Sequence, residues 1–230
     1  MAVSDCDIYL SSRPTVSRTG SIFHQHWQPK GHTFGTCMSH RDSQLMYVNI
    51  PKNASSWTKP NLQELGWEFY NYHYDHLYHK HALIVLRNPI ERWLSGICEY
   101  FTLYHRNIDT TQFNQAFYDV LMDQVTVDDH TERQVYFVEG LDPKRCTFFK
   151  CDSNYRLYFG QFLKNQGIDN KYANYNYQHT TDNREDGDTR RAEFKKIFAP
   201  LLENPKYLDH IRNHYKKDYE LINSVQFYHG

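Results

Sequence analysis

The sequence predicts an α/β fold: a three-layer sandwich with a central parallel sheet. Two observations predict it. Short apolar runs recur at Leu45–Ile50, Ala82–Leu86 and Cys146–Lys150, the pattern of strands buried on both faces. Stretches with apolar residues at helical spacing lie between and after these runs, and a strand-helix-strand order implies right-handed crossovers between parallel strands.

Residues 1–44 are polar, rich in Ser, His, Thr and Gly, and without sustained periodicity. They are expected to form an irregular N-terminal extension, with residues 45–230 as one domain. The first strand stops at Pro51, and a helix is expected from Ser55 to Leu65 with Gly66 as its C-terminal cap. Pro60 must bend that helix or delay its start, because a proline past the first turn removes a backbone donor. The second strand runs into Arg87-Asn88-Pro89, after which Trp93, Ile97, Tyr100, Phe101 and Tyr104 recur at helical spacing. A further helix is expected over Thr111–Met122. The third strand leads to Asp152-Ser153 as the cap of a helix ending at Gly167. Two more helices are expected over Arg190–Leu202 and Lys206–Asn223, the latter carrying Tyr207, Ile211, Tyr215, Asp218 and Ile222 along one face.

The 26 basic residues nearly cancel the 27 acidic ones, so composition shows neither a nucleic-acid footprint nor a membrane-surface charge, and any polyanion site has to be local. Arg190, Arg191, Lys195 and Lys196 make a basic helical face that reads as solvated. Five cysteines form no Cys-x-x-Cys pair, which fits free thiols in a reducing compartment. No basic leader followed by an apolar run opens the sequence, and no stretch approaches the length of a membrane span. A cytoplasmic or otherwise soluble setting is expected, with the Golgi lumen open for a chain trimmed of an anchor.

Two segments carry candidate chemistry. In Ile50-Pro51-Lys52-Asn53-Ala54-Ser55-Ser56-Trp57 a strand turns through small polar residues into a helix, with a lysine in the turn. Backbone N–H groups and the helix dipole favour an anion there, Ser55 and Ser56 add hydroxyl donors, and Lys52 adds a full charge: a P-loop-like phosphate site. A plain capped helix start explains the same residues equally well. The Walker order G-x-x-x-x-G-K-[ST] is absent, so no ordinary ATP/Mg²⁺ site is expected. In the second segment, Arg87-Asn88-Pro89-Ile90-Glu91-Arg92-Trp93-Leu94-Ser95, a guanidinium at a strand end and a helical hydroxyl suit a second phosphate.

Lys52 to Trp57 resembles the 5′-phosphosulfate loop of sulfotransferases that use 3′-phosphoadenosine-5′-phosphosulfate (PAPS), commonly P-K-x-G-T-T-W. Arg87 to Ser95 resembles their 3′-phosphate motif, R-[DN]-P-x-x-R-x-x-S. The similarity extends to Phe148-Phe149-Lys150-Cys151-Asp152 and to Tyr207–Tyr219. It implies that Lys52, Asn53, Ala54, Ser55, Ser56, Trp57, Arg87 and Ser95 bind PAPS or its product PAP, with Trp57 stacked on adenine or else buried in the core. It implies no metal. Ala54 stands where the family has a loop glycine, so the backbone there is expected to avoid a left-handed conformation. The family's R-K-G triplet is missing, and Arg184 is the candidate replacement.

Val127-Asp128-Asp129-His130-Thr131-Glu132-Arg133-Gln134 resembles the D-x-H-x-x-x-Q segment of membrane-type carbohydrate sulfotransferases. Acidic neighbours can orient His130 and raise its basicity, which makes it the candidate general base for an acceptor hydroxyl, on a glycan or similar polar substrate. His73, His76, His79 and His81 compete as a zinc or copper cluster, against a plain polar loop beside the cleft. The alternative functions are a nucleotide or small-molecule kinase and a non-catalytic anion- or nucleotide-binding protein.

Overall fold

The computed structural model describes residues 36–71, 79–168 and 188–230. Within them the chain forms an α/β fold with a five-stranded mixed sheet and eight helices. The strands are β1 (Thr36–Ser39), β2 (Leu45–Asn49), β3 (Glu68–Asn71), β4 (His81–Leu86) and β5 (Cys146–Lys150), in spatial order β3-β1-β2-β4-β5. β2, β4 and β5 run parallel, as expected from the intervening helices, whereas β1 pairs antiparallel with both β2 and β3.

Two corrections follow. The sheet is mixed rather than wholly parallel, and the stretch expected to be irregular up to residue 44 already contains strand β1. Four residues with polar ends, Thr36-Cys37-Met38-Ser39, are too short to show a period. They form a strand because β2 and β3 supply hydrogen-bonding partners on both sides, so tertiary pairing overrides weak local pattern.

Helix α1 spans Ser55–Glu64 and holds Pro60 in its interior, so the helix neither starts late nor stops there. Gly66 follows it at φ 80°. The Trp67 amide donates to the Leu62 carbonyl at 2.9 Å and the Gly66 amide to Gln63 at 2.9 Å, a Schellman closure that needs a left-handed residue at this position. Helix α2 spans Pro89–Tyr104, and Asn88 caps it by accepting from the Ile90 and Glu91 amides at 3.0 and 3.2 Å. The Asn-Pro pair of the second motif is therefore a cap followed by a first-turn proline.

The expected helix over Thr111–Met122 is a 3-10 turn and then α3 (Gln115–Asp123), and the short α4 (Gln134–Val138) has too few residues to show a period. Helix α5 spans Tyr155–Asn165 and α6 spans Asp188–Phe198, where Pro200 converts the continuation into a 3-10 turn. The single helix expected over Lys206–Asn223 breaks at Tyr215 into α7 (Pro205–His214) and α8 (Lys216–Ser224).

Alternate strand residues feed two cores. Leu45, Tyr47, Leu83, Val85 and Phe149 pack with Trp57 and Leu62 of α1 and with Phe159 and Leu163 of α5. Met46, Val48, Ile84 and Leu86 pack on the other face with Phe137 of α4 and with Leu221 and Ile222 of α8. A third cluster joins α2, α3, α6 and α7 through Trp93, Phe101, Leu121, Phe194, Phe198 and Ile211. This helical cluster fixes the face of α2 that borders the end of β2. Among the described residues no helix is long and apolar enough to cross a membrane.

Candidate functional site

The carboxyl ends of β2, β4 and β5 gather the candidate residues, as parallel α/β topology favours. The β2–α1 loop turns on two residues with positive φ, Lys52 at 68° and Ala54 at 58°. The expectation that Ala54 avoids the left-handed region is therefore overturned. The turn needs that conformation to enter α1, and the alanine Cβ accepts it at a steric cost of about 1 kcal/mol. Asn53 lies between them, fully buried, and donates to the Val85 carbonyl at 2.7 Å and to Gln134 Oε1 at 2.6 Å. Its Oδ1 has no partner among the described residues. The Trp57 and Thr58 amides both reach the Ala54 carbonyl at 3.0 Å. The amides of Ala54, Ser55 and Ser56 donate to no acceptor among the described residues, as expected at a helix start.

Gln134 binds the two motifs together. Its side chain accepts from the Arg87 amide and donates to the Arg87 carbonyl, both at 2.9 Å. Its own amide and that of Val135 are capped by the buried Asp218 carboxylate at 2.9 and 3.0 Å. Arg92, also buried, donates through Nε to the Pro51 carbonyl at 3.0 Å and through Nη2 to Asp129 at 3.1 Å, with a further bond to the Glu132 carbonyl. One guanidinium thus ties the phosphate-loop candidate, α2 and the His130 loop into one unit.

The cations converge on α2. Arg87 donates to the Lys52 carbonyl at 3.1 Å and lies 3.5 Å from Glu91. Lys52 Nζ is 3.1 Å from Glu99 Oε2. Burial pulls the lysine ammonium below its ordinary value, and Glu99 opposes that. Ser95 Oγ accepts from Arg191 Nη2 at 3.1 Å, and Arg191 Nη1 lies 3.8 Å from Glu99. Burial pushes the Glu99 carboxyl up, but Lys52 and Arg191 outweigh it and hold the group below the usual carboxylate range.

His130 lies beside this cluster because Gly96 of α2 lets its loop in: a Cβ at Gly96 would sit 2.3 Å from the His130 carbonyl oxygen. His130 Nδ1 contacts Asp128 Oδ2 at 2.7 Å and Asp129 Oδ1 at 3.1 Å. Burial opposes its charge, but the two carboxylates prevail and raise its pKa to about 10. With Nδ1 committed to the carboxylates, Nε2 is the nitrogen that can exchange a proton with a substrate.

Several assignments need revision. Trp57 is only 5% exposed, packed edge-on against Tyr155 and Phe159 with Arg156 over its ring. It is a core residue and presents no open face to a purine. Arg190 and Arg191 are not a solvated face: Arg190 donates to the Arg106 and Ile108 carbonyls at 2.7 and 2.6 Å, while Arg191 turns onto Ser95. Lys195 and Lys196 are exposed. Arg184, His73 and His76 lie outside the described residues. His79 is exposed, and His81 shares a 2.8 Å hydrogen bond with Thr147. Cys37, Cys98, Cys146 and Cys151 are free thiols.

Sequence reasoning missed Arg92, Gly96, Glu99 and Arg191. The spacing of Arg92, Ser95 and Glu99 along one helix face was a usable signal, whereas nothing in the order of residues brings Arg191 to Ser95. A recess of about 650 Å³ opens beside the loop, lined by Ala54, Cys151, Asp152, Ser153, Asn154 and Arg156 among others. Comparison of the chain with protein-family models, curated proteins and solved structures finds no match.

Proposed function

We propose that this chain is a sulfotransferase that moves a sulfuryl group from PAPS to a hydroxyl of a carbohydrate or similar polar acceptor. One observation carries the reading. Two segments far apart in sequence, each resembling one half of a PAPS site, meet at the ends of adjacent parallel strands, where Arg87 bonds the carbonyl of Lys52. The residues fit the donor. The P-loop-like strand-loop-helix offers the Ala54, Ser55 and Ser56 amides and the Lys52 ammonium to the 5′-phosphosulfate. Arg87, Ser95 and Arg191 take the 3′-phosphate, with Arg191 in the part first assigned to Arg184. The recess beside Ala54 takes the adenine in place of a stack on Trp57. The three-layer arrangement supports this reading, since helices packed on both sheet faces leave the strand ends as the open edge.

In the proposed reaction the acceptor oxygen attacks sulfur, and the bond from sulfur to the bridging 5′-phosphate oxygen breaks. The hydroxyl proton passes to Nε2 of neutral His130. The new negative charge on the departing phosphate oxygen meets Lys52, so the lysine acts most strongly as that charge develops. Asp128 and Asp129 hold the imidazole by Nδ1 and stabilise the imidazolium that forms. No metal enters the scheme.

The test is group transfer from two donors. PAPS with labelled sulfate and ATP/Mg²⁺ with labelled γ-phosphate are offered with one pool of glycans, phenols, peptides and lipids. Label from PAPS in a glycan product is the expected result. Label from ATP favours phosphoryl transfer, and PAP binding without turnover across the pool favours a non-catalytic nucleotide-binding protein.

A further inference from the structure

Ser95 and Glu99 stand one helical turn apart on α2 and so share a face. The cations that meet them come from elsewhere: Lys52 from the β2–α1 loop and Arg191 from α6. Glu99 Oε2 is 3.1 Å from Lys52 Nζ and 3.8 Å from Arg191 Nη1, and Arg191 also donates to Ser95 at 3.1 Å. The side chains of Lys52, Glu99 and Arg191 retain 11%, 21% and 19% exposure, so none of the three is sealed in the core. A single carboxylate therefore engages a cation from each of the two phosphate subsites. We propose that Glu99 is a placeholder anion, which occupies Lys52 and Arg191 in the ligand-free protein and yields them to the phosphates of an entering nucleotide.

The inference rests on the donor site described above and adds its regulation. Largely buried cations without a counterion would be costly, and burial already pulls the Lys52 ammonium down. A carboxylate on the helix wall keeps the lysine charged and aimed while no ligand is present. The same carboxylate repels a bound phosphate, which weakens the hold on PAP and speeds its release. Glu99 is thus a positioning residue that acts through Lys52 and Arg191. A purely structural ion pair predicts the opposite sign, since its loss would loosen the site and weaken binding.

Calorimetric titration of PAP and of inorganic pyrophosphate into wild type, Glu99→Gln and Glu99→Asp tests this. Glu99→Gln is expected to bind both probes about tenfold more tightly, as when the binding-competent fraction of the empty site rises from about a tenth toward one. Glu99→Asp, with a shorter reach, is expected to fall between. If wild type binds PAP and Glu99→Gln binds it equally or more weakly, the placeholder is wrong and the donor site stands. If PAP binds neither protein but pyrophosphate binds Glu99→Gln more tightly, the placeholder stands and the nucleotide reading falls. Failure of both variants to fold would make Glu99 structural and overturn the proposal.

Discussion

The Arg87 guanidinium donates to the backbone carbonyl of Lys52 across 3.1 Å. The residue that follows β4 thereby steadies the loop that follows β2, and one arginine can serve both proposed phosphate subsites. Wild type is expected to prefer PAP over adenosine 5′-phosphate by about 100-fold, the scale of a charge-assisted pair. Arg87→Ala should erase most of that preference in paired calorimetric titrations. Equal affinities for the two nucleotides in the unmutated protein would remove Arg87 and Ser95 from the 3′-phosphate.

Ala54 holds φ 58° as the residue before α1. Ala54→Gly relieves the steric cost of that conformation and is expected to stabilise the protein by about 1 kcal/mol, net of the flexibility it adds to the unfolded chain. Urea unfolding with an unchanged m-value measures it. A destabilised variant would mean that the Ala54 methyl group contributes more packing than strain.

Arg92 is buried and satisfies the carbonyls of Pro51, Asp129 and Glu132. Arg92→Met keeps much of the volume but leaves those acceptors unpaired. A loss of about 3 kcal/mol in unfolding free energy is expected, with PAP binding weakened as well. Unchanged stability would show that the loops hold their shape without the guanidinium.

The parallel core of the fold was legible because β2, β4 and β5 are continuous apolar runs separated by periodic helices. β1 and β3 were not, since four-residue strands carry no period and owe their form to their neighbours. The same contrast holds at the site. Lys52, Arg87 and Ser95 stand in short ordered segments at the ends of two apolar strands, where a binding edge is expected, and Asn88 is recognisable as a cap. Trp57 was ambiguous because a residue just inside a helix can face core or ligand, and only the packing of Tyr155 and Phe159 decides. Arg191 and Glu99 were hidden because the pairing of α6 with α2 brings them together.

His130 is held by Asp128 and Asp129 with its pKa raised to about 10, above the ordinary value of about 6.5. Its neutral, proton-accepting form therefore grows as pH rises toward that value, and kcat/KM is expected to climb through the alkaline range. His130→Ala should remove that climb and lower kcat by about 100-fold while leaving PAP affinity intact. Because the folded-state pKa lies above the unfolded one, the stabilisation from this pairing is complete below about pH 6.5 and is lost as pH rises through the folded pKa. Unfolding free energies of wild type should fall across that window, and those of His130→Gln should be flatter. A rate profile indifferent to His130 would remove the base from the mechanism.

The most direct test of the donor site and its chemistry is the turnover of Lys52→Ala at saturating PAPS, measured beside its affinity for PAP. A lysine that meets charge developing on the leaving oxygen predicts a fall in kcat on the order of 100-fold or more, with PAP affinity within about tenfold of wild type. Turnover within a few-fold of wild type would contradict the account.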